Sequence, residues 1–164
     1  MKMQFTYNIF LIGFMGSGKS TVADYLCEKF DMDVVEMDQV IAERERMSIS
    51  DIFEKHGELY FRDLETKLLV ELQEKTNTVV SCGGGVAMRE CNVTEMKKNG
   101  KVVLLTAKPE TILERVENNH DRPLLENNKT VAYIAELMEK RREKYEVAAD
   151  MIIETDGKRR FVRK

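Results

Sequence analysis

The residues Gly13-Phe-Met-Gly-Ser-Gly-Lys-Ser-Thr21 fit the pattern G-x-x-x-x-G-K-[ST], and the chemistry they suit is phosphate binding. Glycines let the backbone close round an anion without Cβ clashes. A helix beginning at the lysine adds unpaired N–H donors and a partial positive charge. The expected nucleotide set is Gly16, Ser17, Gly18, Lys19, Ser20 and Thr21. Lys19 is expected to reach the β- and γ-phosphates, and Ser20 to offer its hydroxyl to Mg²⁺. The competing reading, a glycine-rich turn that happens to contain Lys and Ser, has to explain the flanks. An apolar run at 7–12 reads as a buried strand, and Val22, Leu26 and Phe30 follow at helical spacing.

The remaining candidates lie in short segments that follow apolar runs. Asp38 comes after a strand-like run at 33–37, and Gly83-Gly84-Gly85 after another at 78–82. Asp38 suits proton acceptance from a hydroxyl, but Asp is also a favoured helix N-cap. The glycine triplet lets backbone N–H groups approach a ligand, or is a flexible turn. Arg62 and Arg141 suit bidentate pairing with a carboxylate, although an isolated helical Arg is usually a solvated side chain. Glu65, three residues after Arg62, either orients that guanidinium or forms a surface pair. Phe53 and Phe61 either wall a ring pocket or belong to the core.

These segments need a scaffold, and the intervening sequence describes one. A polar helix follows Asp38, and Ser48-Ile-Ser-Asp51 forms a capping box for a helix at 52–56, with Gly57 at its C′ position. The longest helical pattern runs over 58–75, with Leu64, Leu68, Leu69 and Leu72 as its apolar stripe. A helix at 90–99 is expected to close at Gly100, a strand to occupy 101–106, and Pro109 to open a helix reaching about 118. A polar stretch at 118–129 reads as a mobile loop. A helix over 130–145 and a strand at 151–154 complete the pattern. Strands alternating with helices imply an α/β fold: a mostly five-stranded parallel sheet between helical layers, with ligands at the carboxyl ends of the strands.

Bulk properties set the limits. With 164 residues, the chain is expected to form one domain over 1–164. Lys plus Arg number 26 and Asp plus Glu 29, a net charge of −3; with no global basic excess, nucleic acid is not the expected partner. No apolar run approaches a membrane span, and with the N-terminal residues running directly into the first strand no signal peptide is expected. Three cysteines outside any metal-ligand spacing fit reduced thiols in a cytoplasmic protein. Nothing in the surface pattern demands a partner, so a monomer is expected.

Taken together, the motifs resemble those of shikimate kinases, small P-loop phosphotransferases related to the nucleoside-monophosphate kinases. The resemblance rests on the P-loop, on Asp38 in Glu36-Met-Asp-Gln-Val-Ile, and on Ile52-Phe-Glu-Lys-His-Gly-Glu followed by Phe61-Arg62 and Glu65. It continues through Ser81-Cys-Gly-Gly-Gly85, Arg122-Pro-Leu-Leu125, and Arg141 four residues before Tyr145. It implies a three-layer P-loop fold with substrate-binding helices at about 38–77 and a lid at about 118–129. It implies transfer of the γ-phosphoryl of ATP to the 3-hydroxyl of shikimate, with Mg²⁺ as cofactor. Lys19, Asp38 and Arg122 would be catalytic. Asp38, Arg62, Gly83, Gly84, Gly85 and Arg141 would bind shikimate, and Arg115 would stack on adenine. Arg141 is adjacent to Arg142, and only the spacing to Tyr145 chooses between them. Glu36 stands where the family usually has Asp and would hold the metal through water. The lid opens with Asn118-Asn119-His120 in place of glycines, and the short tail shows no clear pattern for a final helix and lacks the Pro often found beside adenine. Two other readings are a kinase of another hydroxylated acid, such as gluconate, and a nucleotide-binding module without turnover. Asp38 and Arg122 beside Lys19 argue against the second.

Overall fold

The computed structural model describes residues 4–116 and 130–156. Five parallel strands, β1 (Asn8–Ile12), β2 (Asp33–Glu36), β3 (Thr78–Ser81), β4 (Gly100–Thr106) and β5 (Met151–Glu154), form one sheet in the order β2-β3-β1-β4-β5. The P-loop strand is therefore central, pairing Phe10 with Val80 on one side and Val102 on the other. The described helices are α1 (Lys19–Phe30), α2 (Met37–Glu45), α3 (Ile49–His56), α4 (Glu58–Leu72), α5 (Glu90–Lys98), α6 (Pro109–Val116) and α7 (Val131–Ala148). A short 3-10 turn, Val86–Met88, follows the glycine triplet.

Alternation along β1 assigns the faces. Phe10 and Ile12 are fully buried in the larger core with Met37, Ile52, Leu69, Met96, Ile112 and Ile134. Leu11 points the other way, into a smaller core with Ala23, Met32 and Val79, which α1 covers with Val22, Leu26 and Phe30. Side chains on both faces of a central parallel strand are thus removed from water, as parallel sheets require. The buried Asn8 locks the layers: its amide donates to Leu72 O and Lys75 O, and its oxygen accepts from Thr78 N.

Several boundaries differ from expectation for local reasons. Met37 begins α2 instead of ending β2, and its fully buried side chain joins the larger core. Helix α3 starts at Ile49, since Ser48 is its N-cap and accepts from Asp51 N at 3.1 Å. Gly100 is the first residue of β4 instead of a cap for α5, whose C-cap position falls on Asn99. Helix α4 stops at Leu72, and α7 runs on to Ala148, with Thr130 as its N-cap. The expected lid at 118–129, with Arg122 and His120, lies outside the described residues, as do 157–164 of the tail.

Candidate active site

The carboxyl ends of β1, β2 and β3 open into a cavity of about 870 Å³, lined by the P-loop, the start of α2 and Gly83 and Gly84. The P-loop forms its floor. Gly16 and Gly18 hold φ values of 80° and 103°, which L-residues with a Cβ rarely adopt, and Gly18 is the N-cap of α1. Lys19 is buried and folds back over the loop, with Nζ donating to Gly13 O at 2.8 Å and Phe14 O at 3.1 Å. These carbonyls hold the ammonium at the mouth of the helix, where an incoming phosphate competes for it. Ser20 is exposed on the first turn of α1 and lines the same cavity as Asp24, Glu36 and Asp38. Among the described residues no group of His, Cys, Asp or Glu forms a metal-binding cluster. One hydroxyl beside carboxylates is instead the donor set that suits Mg²⁺ arriving with nucleotide phosphates.

The opposite wall is built on the glycine triplet. None of these three glycines has a positive φ; what they supply is space. A Cβ on Gly83 would lie 2.7 Å from Glu65 Oε2 and 2.9 Å from Asp38 Oδ1. One on Gly84 would lie 3.1 Å from Arg141 Nη1, and one on Gly85 would lie 2.6 Å from Arg62 Cζ. Four charged side chains from α2, α4 and α7 therefore converge on three consecutive glycines. Their supports are specific. The Arg62 guanidinium donates to Glu65 Oε1 at 3.0 Å and to Glu58 Oε2 at 3.1–3.2 Å, and lies over the rings of Phe61 and Phe53. Arg141 lies over Phe14, 5.7 Å from its ring centroid. Tyr145, one turn along α7, donates its hydroxyl to Gly84 O at 2.6 Å. The buried Asn92 accepts from Thr66 of α4 and donates to Val86 O, fixing the turn after the triplet.

Burial pushes the Glu65 carboxyl up to about 7; the Arg62 guanidinium opposes this and the Asp38 charge adds to it. Glu65 has 0% exposure, so its ion pair with Arg62 is interior and not the surface pair that was one expectation. Burial likewise raises the Tyr145 phenol, with Arg141 opposing. Cys82 is buried at the end of β3 and its thiol is pushed up by that burial; Cys27 and Cys91 are exposed, and all three are free.

The structure decides the choices left open by spacing. Asp38 is the second residue of α2, and Glu36 occupies the N-cap position, so Asp38 is not a cap. Arg141, not Arg142, faces the site; Arg142 is exposed and engaged with Glu139 at 2.8 Å and Glu146 at 3.5 Å. Phe61 is buried core with the Arg62 guanidinium over its ring, while Phe53 is partly buried beside it. Arg115 does not point freely into the cavity: it donates to Gly16 O, Thr155 Oγ1 and Thr155 O. Sequence reasoning missed Thr155 and assigned Tyr145 no contact of its own. The i, i+4 spacing of Arg141 and Tyr145 was a signal for the latter; no local signal marks Thr155.

Residues 15–164 match the family model described as Shikimate kinase. A shikimate kinase from Sulfurihydrogenibium sp. is 47% identical over 86% of this chain and 84% of its own length. Shikimate kinase from Acinetobacter baumannii, solved in complex with shikimate, superposes with a TM-score of 0.90 at 33% identity, covering 96% of this chain and 89% of that one. A gluconokinase from Sinorhizobium meliloti shares the fold alone, with a TM-score of 0.60 at 18% identity over 98% of this chain and 90% of its own. The gluconate reading is thus not favoured. The chain belongs to the shikimate kinase family of ATP-dependent phosphotransferases with an alcohol group as acceptor.

Proposed function

We propose that the cavity binds ATP on the P-loop and shikimate against the glycine triplet, and transfers the γ-phosphoryl to the 3-hydroxyl. The observation that carries this is the convergence of two guanidinium groups and Asp38 on Gly83–Gly85, opposite Lys19. Two cations set side by side suit the acceptor carboxylate, and fix the ring so that one hydroxyl meets Asp38. Asp38 orients that hydroxyl and takes its proton as the oxygen attacks phosphorus. Lys19 leaves the Gly13 and Phe14 carbonyls to pair with the β- and γ-phosphates. The N–H groups at the start of α1 meet the remaining phosphate charge. Mg²⁺ would be held by Ser20, with Glu36 acting through water, and would supply positive charge against the nucleotide phosphates. Arg122 would bring further positive charge to the transferring group, and Arg115 would flank the adenine. We also assign the protein to the cytoplasm, as a monomer. Among the described residues no helix is long and apolar enough to cross a membrane.

The test is ADP release measured with shikimate, with gluconate and with no acceptor. Turnover with shikimate alone is expected; turnover with gluconate only, or equal release without acceptor, overturns the assignment. Asp38→Asn separates chemistry from binding. It should lower kcat by about 10²–10⁴ while KM for shikimate changes far less, because an amide keeps the shape but cannot accept the proton.

A further inference from the structure

Thr155 follows β5, at the far side of the P-loop from the acceptor wall, and is buried. Its backbone N–H donates to Thr106 O at 2.7 Å, holding it to the end of β4. Its hydroxyl has one proton and three neighbours: Ser17 O at 2.6 Å, Thr106 O at 3.2 Å and Arg115 Nη1 at 3.1 Å. The arginine can only donate, so Thr155 Oγ1 accepts from it and gives its proton to the nearer carbonyl, that of Ser17. Arg115 completes the ring by donating to Thr155 O at 2.6 Å and to Gly16 O at 2.9 Å. Two successive P-loop carbonyls, those of Gly16 and Ser17, are thus held by two residues outside the loop.

The consequence follows from peptide geometry. A trans peptide points its C=O and N–H in opposite directions. Holding the Ser17 carbonyl on Thr155 therefore turns the Gly18 N–H away from Thr155. If that peptide flipped, a carbonyl dipole would replace an N–H donor where phosphate charge must sit. Gly18 makes such a flip sterically cheap, since its φ of 103° is already in a region open to glycine. The Thr155 side chain also lies 3.8 Å from the point where a Gly18 Cβ would begin, so it flanks the same peptide.

We propose that Thr155 is a positioning residue of the nucleotide site. Its hydroxyl, shared between the Ser17 carbonyl and Arg115, sets the P-loop peptide in its phosphate-binding orientation before ATP arrives. This rests on the reading of the P-loop as the ATP site. Thr155→Val removes the hydroxyl and keeps the shape, whereas Thr155→Ser keeps the hydroxyl. For Thr155→Val, the dissociation constant for ADP and the KM for ATP should both rise about tenfold, the worth of one net hydrogen bond. KM for shikimate should stay within about twofold of wild type, because the acceptor wall is untouched. Thr155→Ser should restore ADP binding to within about threefold. A merely structural role would lower the thermal midpoint without weakening ADP binding by the folded protein, and that result overturns the proposal. Failure of Thr155→Ser to rescue overturns it too, by assigning the effect to methyl packing against Gly18. If Thr155→Val does not fold, Thr155→Cys, a weaker donor, reads the same quantity, and wild-type ADP affinity there is equally fatal. Wild-type enzyme that binds ADP but leaves shikimate unphosphorylated would fail the functional reading instead, with the Thr155 comparison still measurable by binding.

Discussion

The two walls of the cavity solve the recognition of an anion in opposite ways. The nucleotide wall is one unbroken stretch, Gly13 to Ser20, whose shape comes from backbone conformation, a helix start and carbonyls tied by Lys19, Arg115 and Thr155. The acceptor wall is assembled from α2, α4, α7 and the turn after β3, and relies on charged side chains packed into the gaps left by three glycines. Backbone recognition is indifferent to most side chains, so Phe14 and Met15 are free to serve the core. Side-chain recognition has no such tolerance: each guanidinium must be held, desolvated and charged at once. Arg62 meets all three conditions through Glu58, Glu65 and two aromatic rings.

The strongest test of this contrast is Lys19→Ala. Turnover should fall by about a thousandfold or more, since the mobile cation of an otherwise fixed wall is lost. Because Lys19 also bonds two buried carbonyls, its removal should cost roughly 1–2 kcal/mol of stability, seen as a lower unfolding midpoint. Retained turnover would mean that the backbone cradle is sufficient alone.

Arg62→Lys is the matching test of the acceptor wall. An ammonium cannot reproduce a planar fork held by two carboxylates, so KM for shikimate should rise by about 10–100-fold with KM for ATP nearly constant. Measuring Arg62→Ala against a substrate analogue lacking the carboxylate closes a thermodynamic cycle. Near-zero coupling would show that the pocket does not read the carboxylate through Arg62.

Gly85→Ala sharpens the claim that the triplet supplies space. Its φ of −98° suits alanine, so the backbone is not strained, yet the new methyl would press on the Arg62 guanidinium. KM for shikimate should rise by about tenfold, while the nucleotide wall is unaffected. Wild-type kinetics in this variant would return the triplet to a role in backbone approach alone.

The smallest effect concerns protons. Glu65 titrates near 7 in the folded protein, raised from an ordinary 4.5 by its burial. Between these values the folded state holds a proton that the unfolded chain has released, so rising pH through that window lowers stability. Relative to Glu65→Gln, wild type should lose roughly 1–3 kcal/mol between pH 4.5 and 7.5, and no more above it. Thermal melts of both proteins across that range decide the matter, and parallel pH profiles would show that Glu65 stays ionised beside Arg62. Among the described residues the nucleotide wall has no corresponding buried carboxylate, so its variants should leave this profile in place.

The same contrast governs what could be read in advance. The P-loop, the strand before it and the helix after it are a local unit. Their conformation follows from glycine positions and from short-range hydrophobic spacing, both written in consecutive residues. The five strands and the parallel α/β order follow from apolar runs alternating with helical patterns, and the structure repeats them with shifts of a few residues at the ends. Burial is what the sequence could not decide. Nothing local says that Glu65 has 0% exposure while Glu58, two turns earlier on nearly the same face of α4, is in the open, or that Arg141 turns inward where Arg142 turns out. Those outcomes depend on which turns and faces of each helix the rest of the fold covers: Glu65 is the one packed against Gly83. The glycine triplet shows the limit most clearly: its residues are conspicuous in the chain, but their purpose depends on four charged side chains brought from 18 to 57 positions away, from Glu65 beside Gly83 to Arg141 beside Gly84. Thr155 is the same case in the nucleotide wall, 138 residues from the Ser17 carbonyl it holds. Local sequence determined the elements and the phosphate loop, because their energies are local. Tertiary packing alone decided which charges are desolvated, paired and aimed, because desolvation and pairing exist only once distant segments meet.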